Sequence, residues 1–217
     1  FFGEYARSSH SISASALAGS GTAMQRDYDH CAATHLADLD APELIGRNAG
    51  QQAVARLDPS RPASARDVSV VYHPRVAGSL LGHLASAING AAVARGTSFL
   101  KNAMGEAVLP PGLSLLDDPL RPRGPRSRPF DGEGQPGARR AMVEGGVLRS
   151  WFLDGRSAAQ LGLASTGHAS RGPSGPPSPS PTNLWLEGGT GTPEALMADI
   201  AEGIFVTELI GMGVNGV

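Results

Sequence analysis

Residues 76–100, VAGSLLGHLASAINGAAVARGTSFL, constrain the fold of this chain more than any other stretch. Val76, Leu80, Leu81, Leu84, Ile88, Ala91 and Ala92 recur at helical spacing and make one apolar stripe. The other face is small or polar: Gly78, Gly82, Ala85, Ser86 and Asn89. Gly82 and Gly90 each cost about 1 kcal/mol of helix propensity relative to Ala, so packing has to supply the stability. A helix so poor in bulky side chains is expected at the centre of a domain, with other backbone close against it.

The surrounding chain is rich in strand and turn signals. Residues 1–39 read as a long antiparallel hairpin: Tyr5 and the alternating Ser9, Ser11, Ser13 and Ser15 fit extended segments, and Gly19-Ser20-Gly21 fits the turn. Asp40-Ala41-Pro42-Glu43 starts a helix, with Asp40 as its cap, that runs through Ile45, Ala49, Ala53 and Leu57 and breaks at Pro59 and Pro62. Residues 67–72 (DVSVVY) read as a buried strand ahead of the central helix. Short strands are expected at 107–109, 113–116, 146–154, 183–187 and 203–210, with helices at 157–163 and from Thr192 to about Ala201. Residues 117–138 and 165–181 are too rich in Pro and Gly to be elements, and irregular loops that long often serve function. Strands outnumber helices and pair locally, so the expected class is α+β. The architecture expected is antiparallel strands in an irregular barrel-like sheet around the central Gly/Ala-rich helix.

Composition excludes several roles. The net charge is −2, so bulk charge points to neither nucleic acid nor a membrane surface. No apolar run approaches the ~20 residues that span a bilayer, and no signal peptide is evident. The single cysteine, Cys31, excludes an internal disulfide and suits a reducing, cytoplasmic setting. With 29 Gly, 17 Pro and 5% aromatic residues, the core has to come from Leu, Val, Ile and Ala. The chain opens on Phe1 and closes on Asn215-Gly216-Val217, and reads as a piece of a larger protein truncated at both ends.

Candidate chemistry is sparse. Cys31 and His35 share a face and could give two metal ligands, but zinc sites need three or four and no third ligand lies at a sensible spacing. His83 borders the apolar stripe without Glu or His at helical spacing, which favours a hydrogen-bonded structural histidine over a ligand. Ser98 and Lys101 match a Ser-x-x-Lys pattern whose companion motifs are missing, so Ser98 reads first as a helix cap and second as a serine nucleophile. In residues 117–138, Arg121, Arg123, Arg126 and Arg128, with Arg139 and Arg140 just beyond, make the chain locally basic. That loop is either a solvated connection or a site whose Arg forks bind peptide carboxylates or a partner. Phe130 is its one aromatic residue, which argues against nucleic acid. Asp131 and Glu133 could act as acid and base, but fit better as acceptors for backbone amides in their Gly-rich turn.

An ordered series of landmarks gives the chain a family resemblance. Tyr5, Ser8 to Ser15 and Met24-Gln25-Arg26-Asp27-Tyr28-Asp29 open it; Gly78 and Gly96-Thr97-Ser98 follow. Asp117-Asp118-Pro119, Phe130-Asp131-Gly132-Glu133-Gly134, Ser165-Thr166-Gly167 and Gly188-Gly189 complete it. The chain resembles the TldD/PmbA family, and its PmbA (TldE) branch more closely. In the TldD branch the central helix carries a His-Glu-x-x-x-His zinc motif; here the corresponding positions are Gly82, His83 and Ala87, and the spacing to Gly96 is one residue short. The resemblance implies that residues 1–217 are most of the family's C-terminal domain, without its N-terminal domain or its last strands, which supply a Cys ligand in the metal-bearing branch. It implies the metal-free subunit of a TldD/TldE-type metallopeptidase acting on small or unfolded peptides. No cofactor is expected in this chain and no residue is expected to be catalytic; zinc is expected in a TldD-like partner, joined as a heterodimer, with self-association as the alternative. Rival readings are a regulatory protein, since the family was also named as a modulator of DNA gyrase, and an independent hydrolase using Ser98 and Lys101.

Overall fold

The computed structural model describes residues 3–59 and 67–210. They fall into two compact units, where the sequence reads as one domain. The first holds residues 3–59 with Arg123–Pro125; the second holds residues 67–122 and 126–210.

In the first unit, β1 (His10–Ala18) and β2 (Gln25–Ala33) form the expected antiparallel hairpin, with Ala14 opposite Asp29. Gly19 and Gly21 take positive φ (85° and 58°) in the turn, a conformation Gly adopts without strain. The helix α1 (Pro42–Ala55) begins one residue later than the sequence suggests: Ala41 occupies the cap position and Asp40 makes no capping bond. Its buried residues Ile45, Ala49 and Ala53 recur every fourth position and pack on both strands. Two polar ties fix this packing. Asn48 Nδ2 donates to Asp29 Oδ2 (2.8 Å), and Arg56 Nη1 pairs with the buried Asp27 (3.3 Å). Pro59 follows the helix; Pro62 lies outside the described residues.

In the second unit, β3 (Ser69–Tyr72) leads into α2 (Pro74–Ala87), where Pro74 sits in the first turn and His73 Nδ1 caps by accepting from the Arg75 amide. The chain breaks at Ile88 and Asn89, and Asn89 caps a second short helix, α3 (Gly90–Ala94). The one long helix expected over the glycine-rich stretch is therefore two. The break has a packing reason. A Cβ on Gly90 would lie 2.4 Å from Leu153 Cδ2 and 2.7 Å from the Phe152 carbonyl oxygen, so only Gly fits. The close backbone approach expected along the small face of α2 does not occur at Gly78 or Gly82, where an added Cβ meets nothing within 4 Å.

The remaining elements are β4 (Ser114–Asp117), β5 (Arg140–Glu144), β6 (Val147–Leu148), α4 (Gly155–Leu161), β7 (Ala169–Ser170), β8 (Ser178–Pro179), β9 (Leu184–Glu187), α5 (Pro193–Met197) and β10 (Gly203–Val206). A four-stranded antiparallel sheet runs in the order β6-β5-β4-β9, and β7 pairs with β8. β10 pairs with β3 in parallel. The class is α+β as expected, but the described strands form four separate sheets and close no barrel. β3 also differs from expectation: Val70 and Tyr72 are exposed rather than buried. The core gathers Leu115, Met142, Val143, Leu148 and Phe152 from the sheet region with Ala85, Ile88 and Val93 from α2 and α3. Among the described residues no helix is long and apolar enough to cross a membrane.

Candidate functional site

α2 brings two of the three degenerate motif positions, His83 and Ala87, to the wall of a cavity. The cavity has a volume of about 690 Å³ and is lined by His83, Leu84, Ala87, Ser98, Phe99 and Val108 among others. Of the motif positions, Gly82 is exposed and faces open space, whereas Ala87 is buried and joins His83 in the lining. His83 differs from the hydrogen-bonded residue expected: its Nε2 is buried and has no hydrogen-bond partner among the described residues. The donor set does not fit a metal ion. Gly82 and Ala87 offer no ligand atom, and among the described residues no three His, Cys, Asp or Glu side chains converge. Cys31 lies in β2 opposite Ile12, and His35 stands beyond that strand, ahead of a short 3₁₀ turn.

Ser98 and Lys101 line different contacts. Ser98 is buried; its Oγ donates to the Ala87 carbonyl (2.5 Å) and accepts from the Leu100 amide (3.0 Å). Lys101 Nζ donates to the Gly96 carbonyl (3.0 Å). A base that activates a hydroxyl has to be within hydrogen-bond reach of it, and here each side chain holds backbone instead. Ser98 caps a turn rather than a helix.

The loop 117–138 divides its candidates between structure and surface. Asp131 is buried and accepts from the amides of Glu133 and Gln135 through Oδ1 (2.9 Å each) and of Ala169 through Oδ2 (3.0 Å). Glu133 accepts from the Gly155 amide (2.7 Å) at the start of α4, and Phe130 bridges to Pro136. These carboxylates hold the loop, as their Gly-rich setting suggests. Arg123 belongs to the first unit, where it pairs with Asp38 (2.6 Å). Arg121, Arg126 and Arg128 lie in the second unit and make no ion pair among the described residues.

Beneath that loop lies a polar network to which sequence analysis assigns no role. Asp117 and His168 are fully buried, with His168 Nε2 3.1 Å from Asp117 Oδ2. Thr182 satisfies the same carboxylate twice, through its amide (2.7 Å) and its hydroxyl. Thr166 Oγ1 lies 2.8 Å from His168 Nδ1 and accepts from the Leu153 amide (2.8 Å). The ring of His168 meets Phe152 edge-on at 4.9 Å. The order Thr–His–Asp resembles a catalytic relay, but the imidazole and carboxylate are sealed from solvent and every partner is engaged, so the network fastens three segments, around Leu153, Thr166–His168 and Thr182, to β4. Asp117 and Thr166 stand inside sequence landmarks; their meeting in space is what sequence spacing could not give.

Residues 65–217 match the family model of the PmbA/TldA metallopeptidase C-terminal domain, and residues 1–57 match that of the central domain. The chain is 34% identical over 214 residues to the Metalloprotease PmbA of Escherichia coli O157:H7, covering 98% of this chain and 45% of that protein. It thus spans about half the length of the curated relatives it matches. TldE from Thermococcus kodakarensis superposes with a TM-score of 0.83 at 25% identity, over 94% of this chain and 46% of that one. A Thermotoga maritima protein named for a proposed modulation of DNA gyrase superposes with a TM-score of 0.84 at 28% identity, over 95% and 47%. The chain belongs to the PmbA/TldD metallopeptidase family.

Proposed function

We propose that this chain is the metal-free, TldE-type subunit of a cytoplasmic metallopeptidase that processes small or unfolded peptides, paired with a zinc-bearing TldD-type subunit. The observation that carries the reading is the wall of the α2 cavity. Where the resemblance expects zinc ligands, the chain has Gly82 and Ala87, and Ala87 lines an apolar space of about 690 Å³. That volume is in the range of sites for small ligands. Leu84, Phe99 and Val108 suit an apolar peptide side chain, and the unpartnered His83 Nε2 suits one polar group of the same peptide. With a single imidazole and no general-base carboxylate beside it, this face does not activate water by the zinc route. Its part is to bind and enclose, and the partner's is to cleave.

Purification of the protein from its source, followed by mass spectrometry, tests the pairing. A zinc-bearing family member is expected to co-purify in a fixed ratio. Recovery of the protein alone, with full peptidase activity, would defeat the reading.

A further inference from the structure

Two arginines stand over Trp185 at the β9 edge of the β6-β5-β4-β9 sheet, and the backbone of two more is tied close by. Arg121 Cζ stands 5.1 Å from the ring centroid and Arg139 Cζ 5.6 Å. A guanidinium stacked on an indole leaves its in-plane N–H donors available. The Arg126 amide donates to Asn183 Oδ1 (2.9 Å), two residues from the tryptophan. Asn183 also bonds both ways with the Asp118 backbone: the Asp118 amide donates to its carbonyl (3.0 Å) and its Nδ2 donates to the Asp118 carbonyl (2.7 Å). Arg128 is fixed to the next residue, since its amide donates to the Pro119 carbonyl (2.8 Å).

Among the described residues, the local acids make one ion pair with these arginines. Asp117 is turned inward to His168 and Thr182, and Asp118 Oδ1 accepts from the Leu120 amide (2.8 Å). Glu187 lies 3.8 Å from Arg139, with both side chains more than half exposed, a pairing worth little. Arg128 is the sharper case, because its Nε and Nη2 are buried and find no acceptor among the described residues. A buried, charged fork without an acceptor is costly, and adjacent Nε and Nη2 donors match the two oxygens of one carboxylate.

We propose that this corner binds the carboxylates of an acidic peptide segment, with the exposed, Trp185-stacked Arg121 and Arg139 taking one carboxylate at the surface and Arg128 turning its buried fork outward to take another bidentately. The proposal rests on the reading that the chain handles peptides, and adds the charge of the peptide it prefers. Single-stranded nucleic acid fits the corner less well. Its binding needs aromatic faces free for bases, and here the indole is already covered by guanidiniums.

The test measures binding of two end-blocked hexapeptides, oligoglutamate and oligoglutamine, and of an oligothymidylate, by calorimetry and by tryptophan fluorescence. The oligoglutamate is expected to bind at least about tenfold more tightly than the oligoglutamine, and to weaken as salt rises. R128Q is expected to lower oligoglutamate affinity about tenfold or more, and R128K, which keeps the charge but loses the fork, is expected not to restore it. The exposed pair R121Q/R139Q, with near-UV circular dichroism on every variant, separates lost binding from lost folding. Equal affinity for the two peptides overturns this inference and leaves the peptide-handling reading standing. Tighter binding of the oligothymidylate, or unchanged affinity in R128Q and R121Q/R139Q, overturns it as well. Failure of both peptides to bind overturns it and counts against peptide handling itself.

Discussion

Two histidines of the second unit show opposite uses of the same side chain. Both ring nitrogens of His168 have partners, Asp117 at 3.1 Å and Thr166 at 2.8 Å, and no solvent reaches the ring. His83 has its Nε2 buried beside the α2 cavity with nothing to bond among the described residues. The first arrangement holds loops to the sheet, and its polar groups are spent on structure. The second leaves a polar atom and an apolar space uncommitted, which is where a ligand has something to gain. The constellation that looks most catalytic is therefore the structural one, and the surface with the poorest inventory is the better candidate for binding.

Mutations at the two places should diverge. Asp117→Ala removes one half of a buried, fully bonded pair and is expected to destabilise the second unit by about 1–3 kcal/mol for each partner it strands, His168 and Thr182. His83→Ala removes no hydrogen bond of Nε2 and is expected to leave the melting temperature close to wild type while weakening peptide binding. Thermal melts and peptide titrations of both variants check the contrast, and equal losses of stability would erase it.

Gly90→Ala comes next in size. Its Cβ would have to displace Leu153 and the Phe152 carbonyl, and overpacking of this kind costs about 1–3 kcal/mol. Gly82→Ala, eight residues earlier, meets open space and is expected to be neutral or stabilising by up to about 1 kcal/mol, since Ala is the better helix former. Denaturant melts that rank the two the other way would contradict the packing described for α2 and α3.

Ser98→Ala should have the smallest effect on function. It loses one bond to the Ala87 carbonyl and one from the Leu100 amide, about 1 kcal/mol of net stability each, and peptide cleavage by the assembled pair is expected to stay within about tenfold of wild type. Complete loss of cleavage with folding intact would revive a serine nucleophile.

How much of this was legible in the sequence depended on the range of the signal. The hairpin of residues 10–33 and the helix over Ile45, Ala49 and Ala53 follow from local periodicity and turn chemistry, and both stand close to where the pattern puts them. The helical stretch 76–100 was legible as helix but not as two helices, because the break is imposed by Phe152 and Leu153, more than 60 residues away. The parallel pairing of β10 with β3 is hidden for the same reason. Asp131 was readable as a loop anchor from its Gly-rich neighbours, whereas the Asp117–His168–Thr182 network joins residues up to 65 positions apart and leaves no local trace. The Trp185 stack is likewise invisible to spacing, since Arg121 and Arg139 reach the indole from opposite ends of an irregular loop.

Restoring the motif residues with Gly82→His, His83→Glu and Ala87→His probes the α2 face further. Gly82 has room for an imidazole but offers no neighbour within 4 Å of its Cβ to orient it, and Ala87 is buried, where an imidazole would overpack. Weak zinc affinity and no peptidase activity are expected, and robust cleavage by the triple variant would show that this face lacks only its ligands.

The most direct test of the metal-free subunit reading is zinc content and peptide cleavage measured on the purified protein, first alone and then with a TldD-type subunit. Alone, it is expected to retain no stoichiometric zinc after dialysis and to cleave no peptide. Together, the pair is expected to cleave, with the metal assigned to the partner. One zinc per chain and cleavage by this protein alone would contradict the account.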